Sequence, residues 1–261
     1  DPGTAAGGPD VSPTAADGSR RDRRPGGTVM DPEYGETWAY ESIIGALPGI
    51  DLSAGEAIAI QLAVFEASVL ALAWYYDLRA AALAGTAAVV VAALGSAEML
   101  RISAAARRPE TPESYRRLLF GSSIEVVLSV LAFIALVTHL FVFDTRSPDP
   151  LVETLFGADP PTLVVYLTLL VLWDLCYRIA TGWWVAIVGL WRSVRYRFDD
   201  RTAGVLRRAD RESVLFGLLQ LPLLPFLTDH PVLFAALAAH VAAVLVISGA
   251  SLALLWLGEY R

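Results

Sequence analysis

Asp174 and Arg178 lie in the middle of a long apolar run, TLVVYLTLLVLWDLCYRIATGWWVAIVGLWR, from Thr162 to Arg192. Four residues apart, they share one face of a helix, where a carboxylate and a guanidinium can pair. Tyr177 adds a phenol beside them. Other apolar runs contain Glu66 (QLAVFEASVL), Glu125 (GSSIEVVL) and Glu98, three residues before Arg101. Ionisable groups at such depth are costly, about 3 kcal/mol each on insertion scales, so they are kept for a reason. They can fix helix register, line a water-filled path for an ion or proton, or exchange protons in catalysis. The expected arrangement makes Arg178 a hub. Its five donors would take Asp174 and one or both of Glu66 and Glu125. Glu66, Asp174 and Arg178 are expected to meet.

Other chemistry is sparse. His139, His230 and His240 stand alone in sequence, and no HExxH, paired-Cys, EF-hand or Gly-rich phosphate motif occurs. No catalytic residue, metal site or cofactor is therefore assigned. The lone Cys176 cannot form an intrachain disulfide. In LLQLPLLPF, Gln220, Pro222 and Pro225 mark a candidate helix break, because each proline removes a helical hydrogen bond. Unwound backbone at membrane depth lines a cavity or is buried in protein.

These residues need helices to position them. Six membrane spans are expected, at about 56–76, 80–100, 118–143, 162–192, 213–227 and 232–257; against the ~20 residues a crossing needs, the fifth is short. Ser53 is the expected N-cap of the first, and Trp74, Tyr75 and Tyr76 form its aromatic belt. The second is rich in Ala and Gly and belongs inside the bundle. The fourth is too long for the hydrocarbon core, so it tilts, extends into the cytoplasm or breaks near Gly182. Ahead of the spans, residues 1–29 read as a disordered tail with an Arg cluster at Arg20, Arg21, Arg23 and Arg24. Residues 30–53 hold Trp38, Ile43, Ile44 and Leu47 at spacings that suit a short amphipathic interfacial helix. Residues 54–261 form the six-helix transmembrane domain. No cleaved signal peptide is evident.

All 20 basic residues are Arg, against 27 acids, for a net charge of −7. Mean hydropathy is +0.52. The loops after spans two and four carry twelve Arg, from Arg101 to Arg117 and from Arg192 to Arg211. The opposite loops carry two, Arg79 and Arg146. This asymmetry predicts both termini in the cytoplasm, N-in and C-in, in the plasma membrane. It also explains the basic residues without nucleic-acid binding. The expected partners are the lipid bilayer and either a second copy or another membrane protein.

The segments ETWAYESIIGALPG, RRLLFGSSIEVVL and VVYLTLLVLWDLCYRIATGWW, with the absence of Lys, resemble the uncharacterised multi-spanning membrane proteins of halophilic archaea. The resemblance implies a membrane location and salt adaptation, and carries no activity or catalytic residue. On the residues alone, the leading expectation is an all-α polytopic helix bundle acting as a small channel or transporter for an ion or small solute. Its path would pass Glu66, Asp174, Arg178 and Tyr177, with Glu125 and Glu98 toward the cytoplasmic mouth. The alternative is a non-transporting scaffold or accessory subunit whose ionic cluster is structural.

Overall fold

The computed structural model describes residues 53–108 and 110–259. The expected tail and, apart from Ser53, the interfacial segment lie outside the described residues. Those described are helical with no strand. Five helical stretches are long and apolar enough to cross a membrane: Ala54–Tyr75, Arg79–Ala106, Glu113–Arg146, Thr162–Arg195 and Pro231–Gly258.

Helix α1 (Ala54–Tyr75) starts at a capping box. The Glu56 amide donates to Ser53 Oγ, and the Ser53 amide donates to Glu56 Oε2 at 2.8 Å. It is apolar on all sides, and only Val69 and Ala73 are buried, the pattern of a helix facing hydrocarbon. Trp74 and Tyr75 are exposed at its end. The chain then reverses through Asp77, which takes a left-handed φ of 53°. Helix α2 (Arg79–Ala106) returns along α1 and buries Val89, Val91, Ala92, Gly95 and Met99.

The third membrane-length stretch is segmented. Helix α3 (Glu113–Gly121) ends before Ser123, whose φ of 52° turns the chain into α4 (Ile124–Thr138). A π-turn (His139–Phe143) and a 3-10 turn (Asp144–Arg146) complete it. Short α5 (Leu151–Phe156) leads to α6 (Thr162–Arg195), which runs unbroken through Gly182. At 34 residues, α6 is about 51 Å long, well beyond the roughly 30 Å core. It packs on α1, α2, α3, α4, α7 and α8 and is the central post.

The residues expected as a fifth helical span are arranged differently. Ser213–Leu218 are the last residues of α7 (Asp200–Leu218), and Leu221–Leu227 form a separate 3-10 helix. Pro222 stands at its start and Pro225 inside it. Neither proline can donate to the preceding turn, which ends the α-helical ladder. Helix α8 (Pro231–Glu259) closes the chain. The stretch expected as an Arg-rich loop, residues 200–211, is the first half of α7. Its buried face, Thr202, Ala203, Leu206, Ala209, Asp210 and Ser213, repeats at helical spacing.

One side chain locks α2, α6 and α7 together. Phe216 of α7 is 2% exposed. A Cβ at Gly95 of α2 would lie 2.5 Å from its ring, and one at Gly182 of α6 would lie 2.6 Å from it. Cβ atoms essentially never come this close, so at either position any residue but glycine would push the ring or a helix aside. Gly182→Ala or Gly95→Ala is expected to destabilise by about 1–3 kcal/mol through overpacking. Thermal unfolding in detergent should show a smaller loss when the same change is made in a Phe216→Leu background.

Helix α7 also has a defined start. The Thr202 amide donates to Asp199 Oδ1 at 3.0 Å. The hydrogen bonds from Thr202 hold this exposed carboxyl below its usual range. A depressed folded-state value means that the cap stabilises fully above the unfolded carboxylate range, about pH 4, and that this is lost as pH falls through the folded value. The melting temperature of Asp199→Ala should therefore fall below wild type at neutral pH, with the difference shrinking in acid.

Candidate functional site

Helix α6 carries two buried guanidiniums. Arg178, at mid-length, is fully buried. Its Nε donates to Asp174 Oδ2 at 3.1 Å and its Nη2 to Asp174 Oδ1 at 2.6 Å, a two-pronged pair across one helical turn. From α1, Gln61 Nε2 donates to the same Asp174 Oδ2 at 3.3 Å. The Asp174 side chain is 17% exposed and borders a crevice of about 10 Å³ with Gln61, Phe65, Ala92 and Val171. That is room for about one water. On its other side, the Arg178 stem lies against Gly95, where a Cβ would approach to 3.3 Å.

The remaining expected residues are distributed along the bundle. Glu66 Oε1 accepts from Thr86 Oγ1 of α2 at 2.7 Å, so α1 is tied to α2 at this point and to α6 through Gln61. Glu98 is buried near the end of α2, where Arg101 Nη1 donates to it. Arg101 also lies 3.7 Å from Glu212, which draws α7 to α2, and Arg208 lies 3.9 Å from the same carboxylate one turn away on α7 itself. Glu125 is buried in the first turn of α4, where the helix N-terminus favours a negative group. Its neighbours Ile124 and Val126 pack on the core around Tyr177 and Trp184. Gln220 is buried at the end of α7 and donates from Nε2 to the Phe216 carbonyl at 3.3 Å. It thereby satisfies a carbonyl near the break.

A second cluster went unrecognised in the sequence. Arg192, expected in a loop, is inside α6 and 1% exposed. Its Nη2 donates to Asp210 Oδ1 of α7 and, at 3.3 Å, to the Leu206 carbonyl. Its Nη1 donates to the Tyr115 hydroxyl of α3 at 2.9 Å, and the guanidinium carbon sits 5.0 Å from that ring's centre. Ser251 of α8 donates to Asp210 Oδ2 at 2.7 Å and lies 2.8 Å from Ser193 Oγ. Gly189 makes room, since a Cβ there would stand 3.2 Å from Asp210. Four helices thus converge on one ion pair. The available signal was the apolar periodicity of residues 203–216, with Asp210 on the apolar stripe.

The opposite end of the bundle has its own link. His230, just before α8, places Nδ1 3.2 Å from Asp144 Oδ1, and the Leu151 amide donates to Asp144 Oδ2 at 2.6 Å. Among the described residues, no three His, Cys, Asp or Glu are grouped to hold a metal ion.

The helices and their buried pairs define an all-helical protein with five stretches fit to cross a membrane. The chain belongs to a family of unknown function, DUF7530, whose model matches residues 33–251. No curated protein and no solved structure matches it.

Removing one partner of a buried ion pair leaves an uncompensated charge, which typically costs about 3–5 kcal/mol. Asp210→Ala is expected to reach that range. Ser251→Ala, which removes one hydrogen bond to the carboxylate, should cost about 1.5–3 kcal/mol. Equilibrium unfolding in mixed micelles distinguishes the two.

Proposed function

We propose that this is a six-crossing plasma-membrane protein that serves as a non-transporting scaffold or accessory subunit, with both ends on its Arg-rich cytoplasmic side. The observation that carries the reading is the closure around Asp174 and Arg178. The pair is bidentate, the adjoining crevice has room for about one water, and Phe216 fills the space between the two glycine notches. A path for a hydrated ion needs more room than this.

The fifth crossing, the one beyond the five membrane-length stretches, is supported by two contacts at opposite ends of the bundle. Asp210 bonds Arg192 near the end of α6, while His230 contacts Asp144 beyond α4. Between them, Ser213–Leu227 would cover roughly 26 Å as part α-helix and part 3-10 helix, close to the hydrocarbon thickness. The twelve-to-two Arg asymmetry supports the orientation. On the proposed inner face, Arg195, Arg197, Arg201, Arg208 and Arg211 are exposed and available to a partner or to anionic headgroups. The exposed apolar side chains Val127, Leu131 and Ile134 of α4 suit a second copy or another membrane protein.

One observation favours the transport reading, namely a discontinuous crossing at membrane depth. Its surroundings point the other way, because Leu223 of the 3-10 helix packs into a core with Val91 and Leu175 rather than lining an open space.

Two experiments test the proposal. In proteoliposomes, sodium, potassium, chloride and proton fluxes should equal those of empty vesicles for wild type and Asp174→Asn alike. A flux that Asp174→Asn reduces would overturn the scaffold reading. For topology, single cysteines are introduced on a Cys176→Ser background and treated with a membrane-impermeant thiol reagent. Arg197→Cys should label from the cytoplasmic side, and Asp149→Cys and Asp229→Cys from the outside. Cytoplasmic labelling of Asp229→Cys would exclude the fifth crossing.

A further inference from the structure

A cavity of about 130 Å³ lies between α1, α2 and α6, under the short helix α5. It arises from the α2 sequence. Ala81, Ala84, Gly85 and Ala88 face it at helical spacing and contribute no side chain beyond Cβ. Gly85 touches Val69 of α1, with a virtual Cβ 2.8 Å from it, so α1 is held close there. Helix α1 packs far less on α6 than on α2, and the cavity lies between them. Val164 and Leu167 form the opposite wall, and Leu155 and Phe156 of α5 close the end.

The chemistry of the walls selects the occupant. All lining residues are apolar except Thr168. The floor is the packed cluster of Val69, Val89 and Val171, beyond which lies the separate crevice of Asp174. No charged group therefore reaches the cavity, and a polar solute would lose its hydration without replacement. An apolar cavity of about 150 Å³ in a protein interior stays dry and takes up benzene or xenon, so this volume suits a segment of hydrocarbon chain. A protein helix, at about 10 Å across, is far too wide. Depth narrows the source. The lining residues Val69, Leu72 and Ala73 come from the last two turns of α1, just inside the exposed Trp74 and Tyr75. Aromatic residues of that kind sit at the membrane–water boundary, which places the cavity at the level of acyl chains.

We propose that this cavity is a binding site for one hydrocarbon chain of a bilayer lipid, entering between α1 and α6 and ending beneath α5. The site is separate from the buried ion pairs, and its occupancy does not depend on whether the protein transports anything. The bound chain supplies the packing that α1 lacks, since α1 buries only Val69 and Ala73 against the rest of the protein.

The test uses the full-length protein in nanodiscs containing a phospholipid with a diazirine midway along one acyl chain. After irradiation, adducts are mapped by mass spectrometry. Wild type should carry adducts on Leu155, Phe156 and the Ala81–Ala88 segment. Ala84→Leu and Thr168→Leu, which fill the cavity from different helices, should each abolish those adducts. Labelling of the exposed α4 residues Val127 and Leu131 should stay at the wild-type level, which reports intact insertion. Absence of cavity adducts in wild type, or their persistence in both filled variants, would overturn the proposal.

Discussion

A guanidinium withdrawn from water needs a carboxylate within reach, and α6 carries two such groups on one rod. Arg178 and Arg192 are fourteen residues apart, about 21 Å along the helix. They solve the same problem in different ways. Arg178 takes Asp174 from its own helix, so the pair forms as soon as α6 does. Arg192 takes Asp210 from α7, so its neutralisation waits for tertiary assembly. The first pair makes the helix tolerable at depth. The second brings α3, α6, α7 and α8 to a single point and so fixes which helices are neighbours.

The rest of the packing follows from that choice. With Asp210 docked at Arg192, Phe216 lies about one and two-thirds turns further along α7, against Gly182 of α6 and Gly95 of α2. The glycines admit the aromatic ring between two backbones, and Arg178 is covered on that side. Past Phe216 the prolines end the α-helical ladder, and Gln220 turns its amide back to the Phe216 carbonyl. Each step uses a local feature, yet the order along α7 (acid, aromatic, amide, proline) makes sense only against α6.

Much of this was legible in the residues. The apolar runs gave the five helical stretches long and apolar enough to cross a membrane, Ser53 gave the start of α1, and the i,i+4 spacing gave the Asp174–Arg178 pair. The proline positions coincide with the change from α to 3-10 geometry. Less could be read where the decisive partner is remote in sequence. Arg192 looks like one more basic residue flanking a span, and its burial depends on Tyr115, Asp210 and Ser251, which lie 77, 18 and 59 residues away. The segment 200–211 resembles a charged loop because Arg201, Arg207, Arg208 and Arg211 dominate its composition, although the residues between them form a helical stripe. Glu66 illustrates a third limit. Its place within an apolar helix was readable, but its hydrogen bond to Thr86 depends on how α1 and α2 turn about their axes, and an almost uniformly apolar helix such as α1 encodes that rotation weakly.

The broken segment at the end of α7 has a consequence for biogenesis. On the proposed topology, the stretch from Ser213 to Leu227 is short, interrupted by two prolines and preceded by a strongly charged half-helix. Such a segment enters hydrocarbon poorly by itself, because its unwound backbone exposes polar groups that lipid cannot satisfy. Protein must satisfy them instead, and the surfaces that do so are already built on α2 and α6 and completed by α8. The fifth crossing would then be the last piece to settle during synthesis. It would be drawn into place as the helices on either side close around it, with the Arg192–Asp210 pair marking completion at one end and Asp144–His230 at the other.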